Sequence, residues 1–396
     1  MMKSGILLLG MFVLAAPQAR AQSLTASQIL QEFNAVIFGN FASTSDVEGR
    51  TVIGGNLTNG ATFNLDPSTS EGTSALDALS VYGESTGTGS INIDNGGGVT
   101  VAGLNKATIS LNGGSSVYIG GANSGNITAN GGAASIGING NNTATVTANG
   151  GGTVSINGTS GNINGTTGTN VYLPSKKDKT GNINNATVHY GAVHLTDPLP
   201  NFSSTFQTPL TNLSSQLATV AANSTVTSKN GTLTFSATPN AQGQAVFDIS
   251  ASVLTAGNEN VVFDTNGATT IVVDVDASCN GSNCTISLPT STNFLNPTVD
   301  ASEIVWNFYN ATTLNFGSEF GGTVLAPDAS VTNSNPIDGD LIASAFGGGG
   351  ELHDYPFIGN LAFAVPEPAT LGVMTVGLLG LVAVRRRRVA RRKARL

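Results

Sequence analysis

Apolar residues recur along the middle of the chain at a fixed interval, each followed two positions later by a second apolar or small residue. One series comprises Ile91, Ile109, Ile127 and Val146, at steps of 18, 18 and 19, with Ile93, Leu111, Ala129 and Ala148 as the second members. A second series alternates with it and comprises Val99, Val117, Ile136 and Val154, with Val101, Ile119, Ile138 and Ile156. This alternation is typical of short strands that bury one face. Asn-Gly and Gly-Gly pairs after the strands favour the positive φ angles of sharp corners.

A repeat near 18 residues that contains two strands and their turns matches one coil of a solenoid. We therefore predict a mainly β protein, a right-handed parallel β-solenoid (β-helix) with the aliphatic series inside. Ser110, Thr128 and Thr147 then form an outward column that could face a ligand. A disordered Gly/Asn-rich linker is the alternative, but a low-complexity chain has no reason to keep two apolar series in phase.

The pattern changes on both sides of this repeat. Apolar residues at helical spacing, among them Phe206, Leu210 and Leu217, predict a helix over about 202–220 that packs along the flank of the solenoid. The first coils are expected over about 50–197 and closing strands over about 226–359, either as more coils or as a packed sheet. Thr25 is a candidate N-cap for a short helix that starts at Ala26.

Both ends of the chain carry export patterns. At the N-terminus, Lys3 precedes an apolar run from 5 to 16, and the sequence Ala-Arg-Ala at 19–21 fits a cleavage site. Residues 1–21 are thus predicted to be a signal peptide that signal peptidase removes. The domain to be exported is then residues 22–364.

The C-terminal segment, 365–396, combines three parts. Residues 369–384 are apolar, and as a helix they would rise roughly 24 Å, which is short for a membrane span. The basic tail 385–396, led by Arg385, Arg386, Arg387 and Arg388, would act as a cytoplasmic stop. Such a transmembrane helix could be an ordinary membrane anchor.

The motif Val365, Pro366, Glu367 and Pro368 ahead of that helix makes the segment resemble the PEP-CTERM sorting signal of Gram-negative bacteria. The resemblance implies an inner-membrane-anchored precursor that an exosortase cuts near the motif. The protein would then reach the outer surface or the extracellular matrix.

Removing the terminal segments changes the charge of the chain. It has 24 acidic and 16 basic residues, but ten basic residues and Glu367 belong to the two ends. Residues 22–364 keep 23 acidic and 6 basic residues, a net charge of −17. This excludes the basic surface of a nucleic-acid-binding protein and favours contact with divalent cations over anionic membranes.

Cys279 and Cys284 enclose Asn-Gly-Ser-Asn between two alternating apolar runs. In an exported protein this spacing favours a disulfide across a hairpin tip, while free thiols or two ligands of a metal site are the alternatives.

The composition gives little support for an enzymatic function. Solenoid hydrolases and lyases need convergent carboxylates, basic groups or a metal, whereas the domain has three histidines and Arg50 as its one arginine. His189 and His194, with Asp197 nearby, could form a metal site, although exposed loop histidines are the simpler interpretation. We predict no enzyme and no obligate cofactor.

Several carboxylates are candidates for Ca²⁺, which prefers oxygen ligands. Asp46 and Glu48 lie beside Arg50, and an ion pair that fixes this segment to the C-terminal section is the alternative. Asp274 and Asp276 are also candidates, and these two, like Asp338 and Asp340, are expected to lie on solvated faces. Glu351, His353 and Asp354 are expected to be structural first.

Two stretches, 33–57 and 321–359, make the exported part similar to the choice-of-anchor A domain of bacterial surface proteins. The first reads FNAVIFGNFASTSDVEGRTVIGGNL and the second begins GGTVLAPDASVTNSNPIDGDL. The layout also resembles the ice-binding β-solenoid architecture, with its helix alongside. These resemblances imply a non-enzymatic, adhesin-like protein of the cell surface or matrix that contacts polysaccharide or a cell-surface ligand. A carbohydrate- or ice-binding solenoid is the alternative, ahead of a polysaccharide-degrading enzyme.

Overall fold

The protein is described here from a computed structural model that covers residues 24–68, 74–113, 115–257, 259–279, 283–295 and 300–362. The predicted signal peptide (1–21) and the sorting segment (365–396) lie outside these residues. The described helices are α1 (Ala26–Glu32), α2 (Thr208–Leu217) and α3 (Ala251–Thr255), with 3-10 turns at Lys176–Asp178 and Ala301–Glu303 and a π turn at Ser203–Gln207. None of these helices is long and apolar enough to cross a bilayer.

Short strands are the predominant regular elements of the described chain, and nearly all of their pairings are parallel. In chain order they are β1 (Ala35–Ile37), β2 (Thr51–Ile53), β3 (Thr62–Phe63), β4 (Leu79–Val81), β5 (Ser90–Ile93), β6 (Val99–Val101), β7 (Thr108–Asn112), β8 (Ser116–Ile119), β9 (Ile127–Asn130), β10 (Ala134–Ile138), β11 (Thr145–Ala148), β12 (Gly152–Ile156), β13 (Asn162–Leu173), β14 (Ile183–Tyr190), β15 (Thr225–Lys229), β16 (Thr232–Ser236), β17 (Gln244–Ser250), β18 (Asn260–Asp264), β19 (Thr270–Asp276), β20 (Thr285–Leu288), β21 (Asn293–Phe294), β22 (Ile304–Asn307), β23 (Thr313–Phe316), β24 (Phe320–Gly321), β25 (Thr323–Asn333), β26 (Ile337–Asp338), β27 (Leu341–Phe346) and β28 (Leu352–His353). The predicted mainly β, parallel-solenoid fold is confirmed.

The two apolar series of the sequence form two faces of the solenoid. Ile91 pairs with Ile109 and Ile109 with Ile127, in register and pointing into the core. We call the face built from β3, β5, β7, β9, β11 and the first parts of β13 and β14 the open face, because none of the described helices packs on it. The second series, from Val99 onwards, belongs to another face.

That other face is a continuous parallel ladder in the order β17, β19, β22, β25, β27, β1, β2, β4, β6, β8, β10, β12, β13 and β14. We call it the helix-covered face. Its fourteen strands span roughly 60 Å at the usual spacing of parallel strands. The first strand of the chain, β1, therefore lies inside the ladder and not at its end.

The described chain enters the solenoid at β1, in the middle of the ladder, and forms coils first on one side of β1 and then on the other. Coils run from β1 to β14, and residues 191–201, the return segment, then lead into α2 and back along the structure. After β15 and β16, which pair antiparallel, the coils resume and advance towards the starting point. They end when Leu341 of β27 pairs with Ala35 of β1, so that the last coils close on the first.

A second apolar core lies between the helices and the outer side of the helix-covered face. The helical stripe Phe206, Leu210, Leu213 and Leu217 is buried there, as is Ile29 of α1. Strand residues such as Val36 and Ile342, which point away from the solenoid interior, face this stripe. Thr25 caps α1 in a capping box with Gln28. The helices therefore cover the part of this face that is formed by β17, β19, β22, β25, β27, β1 and β2.

The corner between the two faces is lined internally by stacked asparagines. The Nδ2 of Asn105 donates to Oδ1 of Asn123 at 2.7 Å, and the Nδ2 of Asn123 donates to Oδ1 of Asn142 at 2.7 Å. Each Nδ2 also donates to a carbonyl two residues ahead, as in Asn123 to Gly125 at 2.8 Å. These buried amides satisfy the backbone of the corner and fix the register of successive coils.

Candidate functional site

The predicted column of Ser110, Thr128 and Thr147 is aligned along the open face. Thr128 pairs in register with Ser110 on one side and with Thr147 on the other, while the residues before and after them point into the core. The column continues in both directions through Thr62, Asn92, Asn164 and Asn184. Seven polar side chains therefore follow one another at the strand spacing of about 4.8 Å.

A second polar row runs beside this column at the ends of the same strands. The Nδ2 of Asn112 donates to Oδ1 of Asp94 at 2.6 Å, and the Nδ2 of Asn149 donates to Oδ1 of Asn130 at 2.7 Å. A longer bond of 3.4 Å joins Asn130 to Asn112. This outer asparagine row gives the open face a second line of amides whose orientation is set by their neighbours.

Glycines occupy the corner next to the outer asparagine row, where successive coils approach closely. Gly113 and Gly131 have φ angles of 106° and 88°, which disfavour any side chain. A Cβ on Gly131 would lie 3.3 Å from the backbone nitrogen of Gly113, so successive corners stack almost in contact.

The opposite surface of the same coils is less accessible. Tyr118 and Gly137, which point outward from the helix-covered face, lie beneath the return segment. A Cβ added to Gly137 would meet Cδ2 of Leu195 at 3.1 Å. The return segment thus covers part of the helix-covered face in these coils.

Asp46, Glu48 and Arg50 do not form one site. Arg50 is buried and pairs with Glu32 of α1 at 2.5 Å, and its guanidinium lies 5.0 Å from the ring centre of Phe33. Glu48 turns to the C-terminal section, where Oε2 accepts a hydrogen bond from the backbone N–H of Asp354 at 2.9 Å. The expected link to the C-terminal section exists, but it is a carboxylate-to-backbone bond, and the arginine ion pair is made with the N-terminal helix.

The acidic pair Asp338 and Asp340 is fully buried, so the expectation of a solvated face was wrong. Asp338 Oδ1 lies 2.5 Å from Nδ1 of His353, whose Nε2 lies 3.1 Å from Glu351 Oε2. The hydrogen bond to Asp338 is the main cause that raises the pKa of His353 to about 9, so the ring is charged at neutral pH. The charge of His353 compensates the buried carboxylate.

Asp340 has different partners. Its Oδ2 accepts hydrogen bonds from Thr323 Oγ1 at 3.0 Å and from the backbone N–H of Phe357 at 3.1 Å. Burial raises the pKa of Asp340 well above its ordinary value. Both aspartates therefore anchor the closing strands, in agreement with a structural role for this motif.

Asp274 and Asp276, two residues apart on β19, differ in environment. Asp274 is buried, contrary to expectation, and accepts a hydrogen bond from Asn307 Nδ2 at 2.7 Å. Burial raises the pKa of Asp274 to about 7. Asp276 is bonded by Asn310 Nδ2 at 2.7 Å, which lowers its pKa. The two carboxylates are therefore held by different asparagines.

The two candidate metal ligands His189 and His194 have different surroundings. His189 lies on β14 and not in a loop; its ring stacks on Tyr172 with centres 4.8 Å apart, and Nε2 lies 3.0 Å from Asn170 Oδ1. His194 is exposed in the return segment. Within the described residues, no group of three or more His, Cys, Asp or Glu side chains could hold a metal ion.

A comparison with known protein families identifies a family that has this domain. The family described as "Putative Ice-binding-like adhesive domain" matches residues 26–118 and 105–354. The chain belongs to this family. The choice-of-anchor A name is not carried by the match and stays a prediction, although the adhesive class agrees with it.

The sorting motif of the adhesive-domain protein is matched separately. The PEP-CTERM protein-sorting motif covers residues 364–388, which include the predicted Val-Pro-Glu-Pro sequence and the first four arginines of the tail. The protein is thus an exported, adhesin-like surface protein with an exosortase sorting signal. Cys279 and Cys284 form the predicted disulfide, with their Cα atoms 5.6 Å apart. The expected hairpin around it was wrong, because β19 pairs in parallel with β17 and β22 and β20 pairs in parallel with β23.

Among solved structures, the adhesive-domain protein is similar to an ice binding protein from an Antarctic bacterium of the Flavobacteriaceae. The identity is 13%, the alignment covers 83% of this chain and 97% of the other, and the TM-score is 0.25. No curated protein matches the sequence.

Sequence reasoning missed the asparagines of the open face. Asn92 and Asn164 continue the hydroxyl column, and Asn112 and Asn130 form the neighbouring row. Their 18-residue steps are visible in the sequence, but Asn in a Gly-rich chain is first explained by turns. A search for polar residues in phase with the apolar series would have found them.

Proposed function

We propose that the open face of this adhesin binds extended polysaccharide of the cell surface or matrix. The observation that carries the proposal is the in-register polar column from Thr62 to Asn184, with the outer asparagine row beside it. A polymer with regularly repeated hydroxyl groups can meet such rows with one weak contact per coil. Many weak contacts along one rigid surface add up to useful avidity.

The proposal extends to processing and location. After signal peptidase removes residues 1–21, the segment 369–384 holds the precursor in the inner membrane of a Gram-negative cell. Exosortase then cuts near residues 365–368 and releases the domain to the outer surface or matrix. The PEP-CTERM match supports this route.

The test compares the purified protein with a variant whose column is blocked, Thr128→Arg with Thr147→Arg. Both residues point out of the solenoid, so the substitution fills the face without changing the core. Thr332→Arg is the matched control, because Thr332 is exposed on β25 and bonds only its neighbour Asn315 outside the open face. Binding to a panel of bacterial exopolysaccharides is measured with and without Ca²⁺.

We expect saturable binding by the native protein and the control, and at least a tenfold loss in the column variant. Equal binding by all three proteins would overturn the assignment of the open face. Dependence on Ca²⁺ would implicate half-buried carboxylates such as Asp46. Release of reducing ends or unsaturated products would favour the enzyme alternative.

Ice is a second candidate ligand because Ser110, Thr128 and Thr147 are three consecutive hydroxyl residues in register. The same variants decide between the two. Inhibition of ice recrystallisation that disappears in the column variant, without polysaccharide binding by the native protein, would assign the face to ice.

A further inference from the structure

A cleft of about 270 Å³ lies on the helix-covered face, away from the open face and outside the proposed adhesive surface. Its floor is formed by outward residues of neighbouring coils, including Thr100 and Tyr118. The return segment forms one wall with Leu195 and Leu199, and Asp77 lies in the other. The volume is just below the usual range of small-molecule sites, about 300–1,000 Å³, which suits a ligand of one ring.

The polar end of the cleft is a carboxylate in a fixed orientation. Oδ2 of Asp77 accepts a hydrogen bond from Thr100 Oγ1 at 2.5 Å, and Oδ1 accepts one from Ser116 Oγ at 2.8 Å. Burial raises the pKa of Asp77, whereas the hydrogen bonds from Thr100 and Ser116 favour the ionised form. The ionised carboxylate has about four acceptor sites, so each oxygen retains capacity for a further donor. Two such acceptors side by side match the adjacent hydroxyl groups of a sugar ring.

The remaining lining is aromatic and aliphatic. Tyr118 contributes a ring whose phenol stays neutral, since burial and the nearby Asp197 raise its pKa. Leu195, Pro198 and Leu199 line the cleft from the return segment. Gly137 adds no side chain, which preserves the space beside Tyr118. A sugar ring has this same division between polar edges and apolar faces.

We propose that this cleft binds one ring of an uncharged pyranoside. Among the described residues, the lining includes Asp77 and no lysine or arginine, and Asp197 adds negative charge near Tyr118, so uronic acids and other anions are disfavoured. The site does not depend on the open face. It would let the protein hold a single sugar residue, such as a chain end or branch, independently of contacts along a polymer.

The experiment measures binding of methyl glycosides of glucose, galactose, mannose and N-acetylglucosamine to the full chain by saturation-transfer NMR. Methyl glucuronide is the charged control ligand. Asp77→Asn keeps the shape and the acceptor for one hydroxyl but removes the charge, and Tyr118→Leu removes the ring. Thr196→Arg blocks the rim at an exposed position, so it tests the cleft even if the other two variants fold poorly.

We expect saturable millimolar binding of at least one neutral glycoside, weakened tenfold or more by Asp77→Asn and by Thr196→Arg, and no binding of the glucuronide. The open-face variant Thr128→Arg with Thr147→Arg should bind the glycoside as the native protein does. Failure of every neutral glycoside to bind, or native affinity in the Thr196→Arg variant, would overturn the proposal. Loss of glycoside binding in the open-face variant alone would place the sugar on the open face instead.

Discussion

At the scale of single residues, asparagine has two different roles in the same coils. Asn123 is buried and donates from Nδ2 to Gly125 and Asn142, whereas Asn130, seven positions later, bonds its neighbours on the outer surface. Both belong to stacks with the period of the coil. Burial alone separates a structural amide from one that a ligand can reach.

We predict that Asn123→Asp destabilises the fold while Asn130→Asp does not. The aspartate at 123 would lose two donated bonds and bring a carboxylate against Oδ1 of Asn142, which we expect to cost about 2–4 kcal/mol. At 130 the carboxylate stays hydrated, and the change should remain within about 0.5 kcal/mol. Thermal and urea unfolding of both variants measure the difference. Similar losses at both positions would contradict the structural role of the inner stack.

Asp274 gives a second prediction at this scale, with a defined pH dependence. Its folded pKa of about 7 lies above the ordinary 3.8, so the folded state keeps a proton that the unfolded state loses. Stability therefore falls as pH rises from about 4 to 7, and the full cost, on the order of 4 kcal/mol, is present above pH 7. Asp274→Asn should remove this cost.

The variant Asp274→Asn retains an acceptor for Asn307 Nδ2. It should be more stable than the native protein at pH 8 and about equal to it at pH 4, as measured by unfolding at both values. Asp276→Asn is the matched control, because that carboxylate is hydrogen-bonded and its pKa is lowered. A gain of the same size at pH 4 would show that ionisation of Asp274 is not the cause.

The residue scale also shows where sequence reasoning ends. The Ser110, Thr128 and Thr147 column could be predicted because register in a solenoid follows directly from the repeat. The burial of Asp274 could not, since its partner Asn307, which is itself bonded by Ser214 of α2, is distant in sequence. Alternation predicts that a residue points outward, but not whether another element lies over it.

At the scale of elements, the closing strands β24, β26 and β28 are held by a histidine between carboxylates. His353 pairs with Asp338 and Glu351, and its folded pKa of about 9 exceeds the ordinary 6.5. The folded state binds the proton more tightly than the unfolded state. The resulting stabilisation is complete below about pH 6.5 and is lost as pH rises through 9.

We predict that native stability falls by roughly 3 kcal/mol between pH 6 and pH 10 through this group. His353→Gln should remove that part of the pH dependence and should be less stable than the native protein at pH 6. His194→Gln serves as the control, since His194 is exposed. An unchanged pH profile in His353→Gln would show that the pair with Asp338 does not stabilise the closing strands.

The elements themselves were predictable to different degrees. The helical spacing from Phe206 to Leu217 indicated a flanking helix, and the π turn and α2 occupy Ser203–Leu217. The region after Val226 left open whether further coils or a packed sheet would form. The parallel pairing of β17, β19, β22 and β25 settles this as coils. Irregular coil lengths there, 26 residues from Gln244 to Thr270 and 33 from Ile271 to Ile304, conceal the repeat in the sequence.

At the scale of the whole molecule, the position of β1 is the feature that local patterns could not give. A repeat suggests that coils stack in chain order, whereas β1 lies between β2 and β27. The seam joins residues about 300 positions apart, with Phe38 N–H bonded to Ala343 O and Leu341 N–H bonded to Asn34 O, both at 2.8 Å. α1 and α2 cross the seam on the outside through the second core.

This topology predicts an uneven pattern of native-state hydrogen exchange. The seam amides of Phe38 and Leu341 lie within the ladder and under the helices, so they should open only with global unfolding. The amides of β14 should exchange through local fraying, because within the described chain β14 pairs with β13 alone and five of its eight residues are exposed. Exchange mass spectrometry with peptides from 33–41, 183–190 and 337–346 measures all three regions. If the seam amides exchanged as fast as those of β14, the two halves of the solenoid would be separate folding units. The pairing of β1 with β27 would then not join the adhesive domain into one cooperative unit.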